Sequence, residues 1–177
     1  QVGGASVDAK GSLVYNKGGS DLVNTAGGGI DIYSAAEFGD CVVECEVMVP
    51  KGSNSGIYLM GRYEIQILDS FGRDKLGMGD MGAIYSVAVP KLNACLKAGE
   101  WQKYVIDFQA PRFADGKKTA NARISVRHNG VPVQDHVEVT EPTRAAPEKE
   151  ANAPGPLHLQ NHGNPVRYRN IWVLPKK

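Results

Sequence analysis

The stretch Ile57-Tyr58-Leu59-Met60-Gly61-Arg62-Tyr63-Glu64-Ile65-Gln66-Ile67-Leu68 decides the fold of this 177-residue chain. Apolar or aromatic side chains occupy most of its odd positions, and the even positions are of mixed character. A period of two over this length predicts a β-strand, because successive side chains of a strand point to opposite faces. We therefore predict one strand over 57–68, with the odd-numbered side chains facing a core.

The same period recurs along most of the chain. The Asn129-Gly130 pair lies between two apolar runs and predicts a type I′ hairpin, since both residues tolerate positive φ. His128, beside that turn, is predicted to lie at the surface. Further strands are predicted at 41–49, 83–89, 101–109, 122–133 (with the hairpin), 157–160 and 166–174.

Strands without convincing helices predict an all-β protein; only one helical turn is expected, near 34–38. About ten to twelve short strands favour a two-sheet jelly-roll sandwich. We expect one domain over 1–177, with 1–24 as a loosely attached amino-terminal segment. Cys41 and Cys45 share the parity of the apolar residues around them and are expected in the core, while the odd total of three cysteines gives no complete disulfide framework.

The charge balance narrows the choice of partners. The chain has 20 Lys and Arg against 19 Asp and Glu, a net charge of +1. No basic surface is available for a nucleic acid or an anionic membrane, and no apolar run is long enough to span a bilayer. Since the chain begins at Gln1 and not at Met, we expect that an upstream segment has been removed, either as a cleaved export signal or by trimming of the amino terminus. The oligomeric state is left open.

The even face of 57–68 carries the candidate site. Arg62, Glu64 and Gln66 follow one another at i, i+2 spacing, roughly 7 Å apart. A guanidinium, a carboxylate and an amide in a row offer donors and acceptors to several sugar hydroxyls. The alternative is a solvated strand face with an Arg–Glu contact of little energetic value.

Two further segments supply candidate residues. His162 lies in an Asn-His-Gly-Asn turn, where an exposed imidazole can exchange protons near neutral pH, or simply bond the backbone. Gln160 and Arg169, on the last two predicted strands, are candidate substrate-binding residues. Asp69 ends the central strand. It either stabilises a turn there, which is the usual role of an aspartate at such a position, or serves as a metal ligand.

Conventional glycoside hydrolysis is disfavoured on this strand. It uses two carboxyl groups flanking the scissile bond. Here Gln66 stands where a second acid would be needed, and Asp69 has the opposite parity to Glu64. Nucleophile-elbow, phosphate-loop and His-Glu-x-x-His motifs are missing as well.

Several segments together resemble one family. They are 54–59, 61–70, 27–29 with 37–40, 82–85, 99–102, 110–113, 128–130 and 155–172. Over about residues 25–175 the chain is similar to the 3-keto-disaccharide hydrolases. The resemblance implies a concanavalin A-like fold and action on glycosides oxidised at C3. Export to a periplasmic or extracellular location, with a lipid anchor removed upstream, is implied as well. It also implies a site lined by Arg62, Glu64, Gln66 and His162, to which we add Tyr85 as a candidate substrate-binding residue.

The chemistry of such a substrate suits a site with one carboxylate. A ketone at C3 acidifies the proton on C2, so one base can remove it and the enolate can expel the C1 substituent. We expect Glu64 and His162 to be catalytic and a divalent cation as an optional cofactor, with Asp69 among its ligands. A non-catalytic carbohydrate-binding module is the alternative, and a structural or adhesion domain is a third.

Overall fold

The computed structural model describes residues 2–7, 13–24 and 30–177, with side chains from residue 18 onward. Within these ranges all regular structure is β, and no helix occurs. The strands are β1 Val2–Val7, β2 Leu13–Val23, β3 Ile32–Phe38, β4 Cys41–Met48, β5 Asn54–Leu59, β6 Tyr63–Leu68, β7 Trp101–Gln109, β8 Arg112–Ala114, β9 Lys117–Ala120, β10 Ala122–His128, β11 Val131–Val139, β12 Gly155–Leu159 and β13 Arg167–Pro175. The helical turn expected near 34–38 is wrong, because those residues belong to β3.

Two antiparallel sheets form a sandwich. A seven-stranded sheet has the order β1-β2-β13-β4-β7-β10-β11, and a four-stranded sheet has the order β3-β12-β5-β6. Strands β8 and β9 form a separate small ribbon. The predicted all-β, two-sheet jelly roll is confirmed.

The core lies where the inner faces of the two sheets meet. The seven-stranded sheet contributes alternate residues of β4 and β7, and the four-stranded sheet contributes the odd residues of β5 and β6. Cys41 and Cys45 belong to this core, as predicted, and Cys95 is buried too; all three are free thiols. Burying these apolar faces is the main favourable term in the stability of a sandwich.

The stretch 57–68 is a hairpin and not the single strand that the alternation predicts. Met60 and Gly61 both have positive φ, 53° and 64°, and the Arg62 amide donates to the Leu59 carbonyl across the turn. Since β5 and β6 pair with Ile57 opposite Ile65, odd residues still share the core face. The turn was hidden because it leaves the parity of the apolar positions unchanged.

The expectation of a strand at 83–89 is also wrong. This segment folds into tight turns, with isolated bridges from Ile84 to Ile65 and to Ala88. Its backbone nevertheless bonds the free edge of β6, because the Gln66 amide donates to the Ala83 carbonyl and the Tyr85 amide to the Glu64 carbonyl. The segment therefore covers an otherwise open sheet edge.

The amino-terminal strands lie at one edge of the seven-stranded sheet. β2 pairs with β13 only through Val23 and Leu22, opposite Arg167 and Tyr168. Residues 1, 8–12 and 25–29 lie outside the described part, and the segment 27–29 of the family resemblance is among them. The expectation of a loosely attached segment over 1–24 within a single domain stays a prediction.

His128 was expected at the surface, but it is buried. Its side chain has no exposed area, stacks on Tyr104 with ring centroids 4.6 Å apart, and places Nε2 3.0 Å from Gln102 Oε1. Burial lowers the pKa of His128 to about 4. The inward direction follows from the alternation along β10, because His128 has the parity of the buried Ile124 and Val126; the adjacent turn was given too much weight.

We expect this histidine to make the fold sensitive to acid. The imidazole is neutral in the fold and titrates near 6.5 when unfolded, so the folded state loses stability as pH falls from 6.5 towards 4. The loss amounts to about 3 kcal/mol. Urea unfolding at pH 7.5 and 4.5 checks it. His128→Gln should remove this loss, so its free energy of unfolding relative to the wild type should rise by about 3 kcal/mol between pH 7.5 and 4.5. His136→Gln, at an exposed site, should keep the wild-type pH dependence, and the same pH dependence in all three proteins would contradict the assignment.

Candidate active site

A small polar pocket lies on the outer face of the four-stranded sheet. Its volume is about 80 Å³. Most of its lining residues come from β5, β6 and the turn after β12, and the rest come from the segments that cover the edge of β6. They are Asn54, Tyr58, Glu64, Gln66, Tyr85, Ala145, Gln160 and His162. The structure thus brings together five of the eight residues that the sequence nominated.

Glu64 is the acidic group among the lining residues of this pocket. It is 3 % exposed, and its backbone is fixed on both sides, by β5 through pairing with Tyr58 and by Thr143, whose hydroxyl accepts from the Glu64 amide at 3.0 Å. Burial raises the pKa of Glu64 to about 7, and a hydrogen bond from the Tyr58 hydroxyl opposes the rise. A carboxyl group that titrates near neutrality can both take and return a proton.

Gly56 makes room for that carboxyl group. A methyl group on its Cα would lie 2.5 Å from Glu64 Oε1 and 3.1 Å from Glu64 Cδ. No L-side chain fits there unless Glu64 moves. The glycine is therefore required by the close approach of the carboxylate to β5, and not by an unusual φ.

An aromatic row crosses the sheet and ends at Glu64. The register sets Tyr33, His158, Tyr58 and Glu64 side by side on β3, β12, β5 and β6. The His158 ring stacks between the two tyrosines, with centroids 4.4 Å and 4.5 Å away. Stacking on His158 and complete burial leave the Tyr58 ring little freedom, so its hydroxyl is held against Glu64. Gln160 Nε2 donates to the same hydroxyl at 3.1 Å.

His162 reaches the pocket from an anchored turn. The Asn164 side chain accepts from the Asn54 amide at 3.0 Å, and the Asn161 carboxamide accepts from the Gly163 amide at 2.9 Å. These contacts tie the turn to β5 while the imidazole stays exposed. Gln66 Nε2 donates to Asn54 Oδ1 at 2.8 Å on the same wall.

Arg62 was expected to line the pocket, but it does not. It is 5 % exposed, and its guanidinium donates to the carbonyls of Lys149 and Ala153 at 2.7 and 2.8 Å. Arg62 thereby fastens the loop over 141–154, whose Ala145 lines the pocket with a φ of 68°. Its side chain faces a covering loop that the strand pattern alone did not indicate.

Arg169 and Asp69 also lie elsewhere. Arg169 belongs to the seven-stranded sheet, where it pairs with Glu46 and stacks over Trp101 at 3.8 Å. The Asp69 carboxylate accepts from the Gly52 amide at 2.9 Å. No group of three His, Cys, Asp or Glu within the described ranges is placed to share a metal ion. Asp69, the residue expected to ligate a divalent cation, therefore does not fit a metal site at the pocket, and the proposed reaction uses no cation.

Tyr58, Asn54 and Ala145 are lining residues that the sequence analysis did not nominate. Tyr58 and Asn54 had a usable signal, because they share the even parity of Glu64 and Gln66. Ala145 had none, since it belongs to a loop whose course depends on Arg62 and Thr143.

Comparison with known proteins now adds to this geometry. The model of the 3-keto-alpha-glucoside-1,2-lyase-like domain matches residues 3–174. The chain belongs to this family. Membership places it among carbohydrate-active proteins, which agrees with a pocket lined by amide, hydroxyl, carboxyl and imidazole groups. The resemblance drawn from the sequence motifs is confirmed.

Solved structures of similar fold include three candidate glycosyl hydrolases from Parabacteroides distasonis. One is 34 % identical with a TM-score of 0.76, covering 82 % of this chain and 68 % of its own. Another is 22 % identical with a TM-score of 0.62, covering 88 % and 87 %. The mutant alginate lyase Aly36B in complex with an alginate trisaccharide, 12 % identical with a TM-score of 0.53 and covering 98 % and 87 %, shares the fold alone. No curated protein matches the chain.

The described part of this family member has no helix long and apolar enough to cross a membrane.

Proposed function

We propose that this family member cleaves the glycosidic bond of 3-keto-glycosides, with Glu64 as the base. The observation that carries the proposal is the single buried carboxyl group of the pocket, whose pKa is raised to about 7. Conventional glycoside hydrolysis needs two carboxyl groups, whereas proton abstraction beside a ketone needs one. The 34 % identity to a candidate glycosyl hydrolase supports a carbohydrate substrate.

The reaction balances without a cofactor. Glu64 takes the proton from C2, and the electron pair moves onto the C3 oxygen as an enolate. The enolate re-forms the ketone by expelling the C1 oxygen, which leaves with a proton from His162 and gives a C1=C2 double bond. If water then adds across that double bond, the net reaction is a hydrolysis. If the unsaturated product is released before water adds, the reaction is an elimination.

The pocket walls offer donors for the developing charge. Gln66 and Gln160 each place a side-chain amide there, and an N–H aimed at an enolate oxygen stabilises it more than it stabilises the ketone. Tyr58 stays protonated, because burial raises its pKa well above the usual range. Its hydroxyl therefore donates to Glu64 and keeps the carboxylate aimed into the pocket.

The direct test uses a 3-keto-glucoside with a chromogenic leaving group. We expect release of the chromophore by the wild-type protein and loss of release in Glu64→Gln. Binding of unmodified oligosaccharide without release from any keto-glycoside would instead favour a non-catalytic carbohydrate-binding module. Dialysis against EDTA before the assay tests the expected divalent cation, and export stays a prediction.

The rate should rise with pH through the titration of Glu64. The base must be ionised, so kcat/KM is expected to fall about tenfold per unit below pH 7. Tyr58→Phe removes the hydrogen bond that lowers the Glu64 pKa, so the midpoint should move to higher pH. Measuring kcat/KM between pH 5 and 9 for both proteins checks this. A midpoint that is the same in both would contradict the assigned contact.

A further inference from the structure

The outer face of the seven-stranded sheet carries a second, larger depression that the proposed reaction does not use. Its volume is about 390 Å³. The floor and walls come from four neighbouring strands, β4, β7, β10 and β11. Its lining includes Val42, Val105, Asp107, Ser125, Arg127 and His136. Because the core lies between the sheets, this groove and the Glu64 pocket are on opposite sides of the sandwich.

A β-bulge shapes one wall of the groove. The register of β10 and β11 shifts between Ile124 and Val126, and His136 takes a φ of 49°. The His136 amide donates to Ser125 Oγ at 2.8 Å, and Asp135 Oδ1 lies 2.7 Å from His136 Nδ1. A bulge redirects side chains out of the regular alternation, and here it raises an imidazole and a carboxylate at the edge of the groove.

Exposed apolar side chains continue the groove across the sheet. Trp172 is 70 % exposed and Leu174 is 67 % exposed. Pairing places Trp172 opposite Glu44, Glu44 opposite Val105, and Val105 opposite Arg127. At about 5 Å per strand, Trp172 lies roughly 15 Å from Arg127 along one row. Leu174 pairs with Val42 of the groove, so the two exposed side chains and the groove form one continuous surface, and larger exposed apolar surfaces mark binding sites.

Both carboxylates of the groove pair with a lysine, and the Arg127 guanidinium donates to the Gly130 carbonyl at 3.4 Å. Lys176 pairs with Asp107, and Lys91 lies 3.3 Å from Asp135. The lining therefore offers N–H, O–H and oxygen groups with little net charge, which suits an uncharged polyhydroxyl ligand better than a polyanion. The indole supplies the flat apolar face against which the C–H side of a sugar ring packs.

We propose that Trp172, Leu174 and this groove form a non-catalytic binding surface for a neutral glycan. The surface holds a polysaccharide chain on the face away from the pocket, so occupancy of one site leaves the other open. It acts whether or not Glu64 serves as a base, and its test is therefore separate from that of the proposed reaction.

The test is affinity gel electrophoresis of the full chain carrying Glu64→Gln, which removes turnover. Gels contain laminarin, soluble starch, hydroxyethyl cellulose or dextran, with alginate as the anionic comparison. We expect retardation by at least one neutral polymer. Trp172→Ala should raise the dissociation constant at least tenfold while the unfolding temperature stays unchanged. Leu96→Ala, at an exposed apolar residue outside this face, is the matched control.

Three results would overturn the proposal. They are no retardation by any of the four neutral polymers, equal retardation of the Trp172→Ala protein, and loss of retardation on Gln66→Ala in the pocket with Trp172 intact. Light scattering after size-exclusion chromatography adds a fourth: a dimer that Trp172→Ala dissociates would make this face a contact between copies of the chain.

Discussion

Glu64→Gln is expected to abolish turnover and to stabilise the protein at the same time. The amide keeps the shape of the carboxyl group but cannot take the C2 proton, so we expect kcat to fall by at least about 10³-fold. The buried carboxylate is a cost to the fold, because burial raises its pKa from an ordinary 4.5 to about 7. Removing the charge removes that cost.

The gain in stability should depend on pH. The wild-type protein is stabilised by a neutral Glu64 below pH 4.5 and loses that contribution as pH rises to 7. Above pH 7 the variant should therefore be more stable by about 2–3 kcal/mol, and at pH 4 the two should agree. Urea unfolding at both values measures the difference.

A matched control separates burial from charge. Glu138 has a half-exposed side chain on the seven-stranded sheet, and Glu138→Gln should change the free energy of unfolding little at either pH. A Glu64→Gln protein that is less stable than wild type at pH 8 would show that the carboxylate is compensated in the fold and does not titrate near 7.

Gly56→Ala is expected to cost about 10²-fold in kcat while the protein still folds. The added methyl group cannot coexist with Glu64 Oε1 at 2.5 Å, so the carboxyl group must shift away from its seat beside Tyr58. Displacing a catalytic group by about 1 Å has consequences of this size. Gly39→Ala is the matched control, since its new methyl group would meet nothing within 4 Å.

Combination with a shorter acid tests the steric cause. In Glu64→Asp the carboxyl group lies one methylene nearer the β6 backbone, so adding Gly56→Ala should bring little further loss. Two contacting residues that act through one clash are not additive. If the two losses in kcat are fully additive, Gly56→Ala does not act through a clash with Glu64.

The sandwich fold and five of the pocket residues could be predicted from the sequence, because the alternation of apolar residues shows which side chains share a face of a strand. Glu64 and Gln66 share the even face of the central hairpin, and that face is the one that the pocket occupies. Gln160 and Tyr85 were predicted as substrate-binding residues, and both line the pocket on that face. What alternation cannot report is which segment covers a face. Arg62 has the parity of Glu64, yet its guanidinium donates to two carbonyls of the 141–154 loop and so faces that loop instead of the pocket.

Two other misses have different origins. A turn that preserves parity, as at Met60-Gly61, leaves a pattern of period two unchanged. His128 stands beside a turn typical of a surface, but it has the parity of the buried residues of β10, so the alternation indicated the inward direction that the turn obscured. Its partner Gln102 comes from β7, and the sequence pattern could not reveal that contact.

The three buried thiols allow the opening of the native fold to be measured by chemical labelling. Cys41, Cys45 and Cys95 are all shielded, and burial raises their pKa values to about 11, 12 and 11, so a reagent such as Ellman's finds no ready thiolate in the native state. Labelling of Cys41 and Cys45, which lie on the inner face of β4, then requires the sandwich to open, whereas Cys95 requires only its loop to open. The labelling rate of the two β4 thiols without denaturant therefore reports how often the two sheets separate.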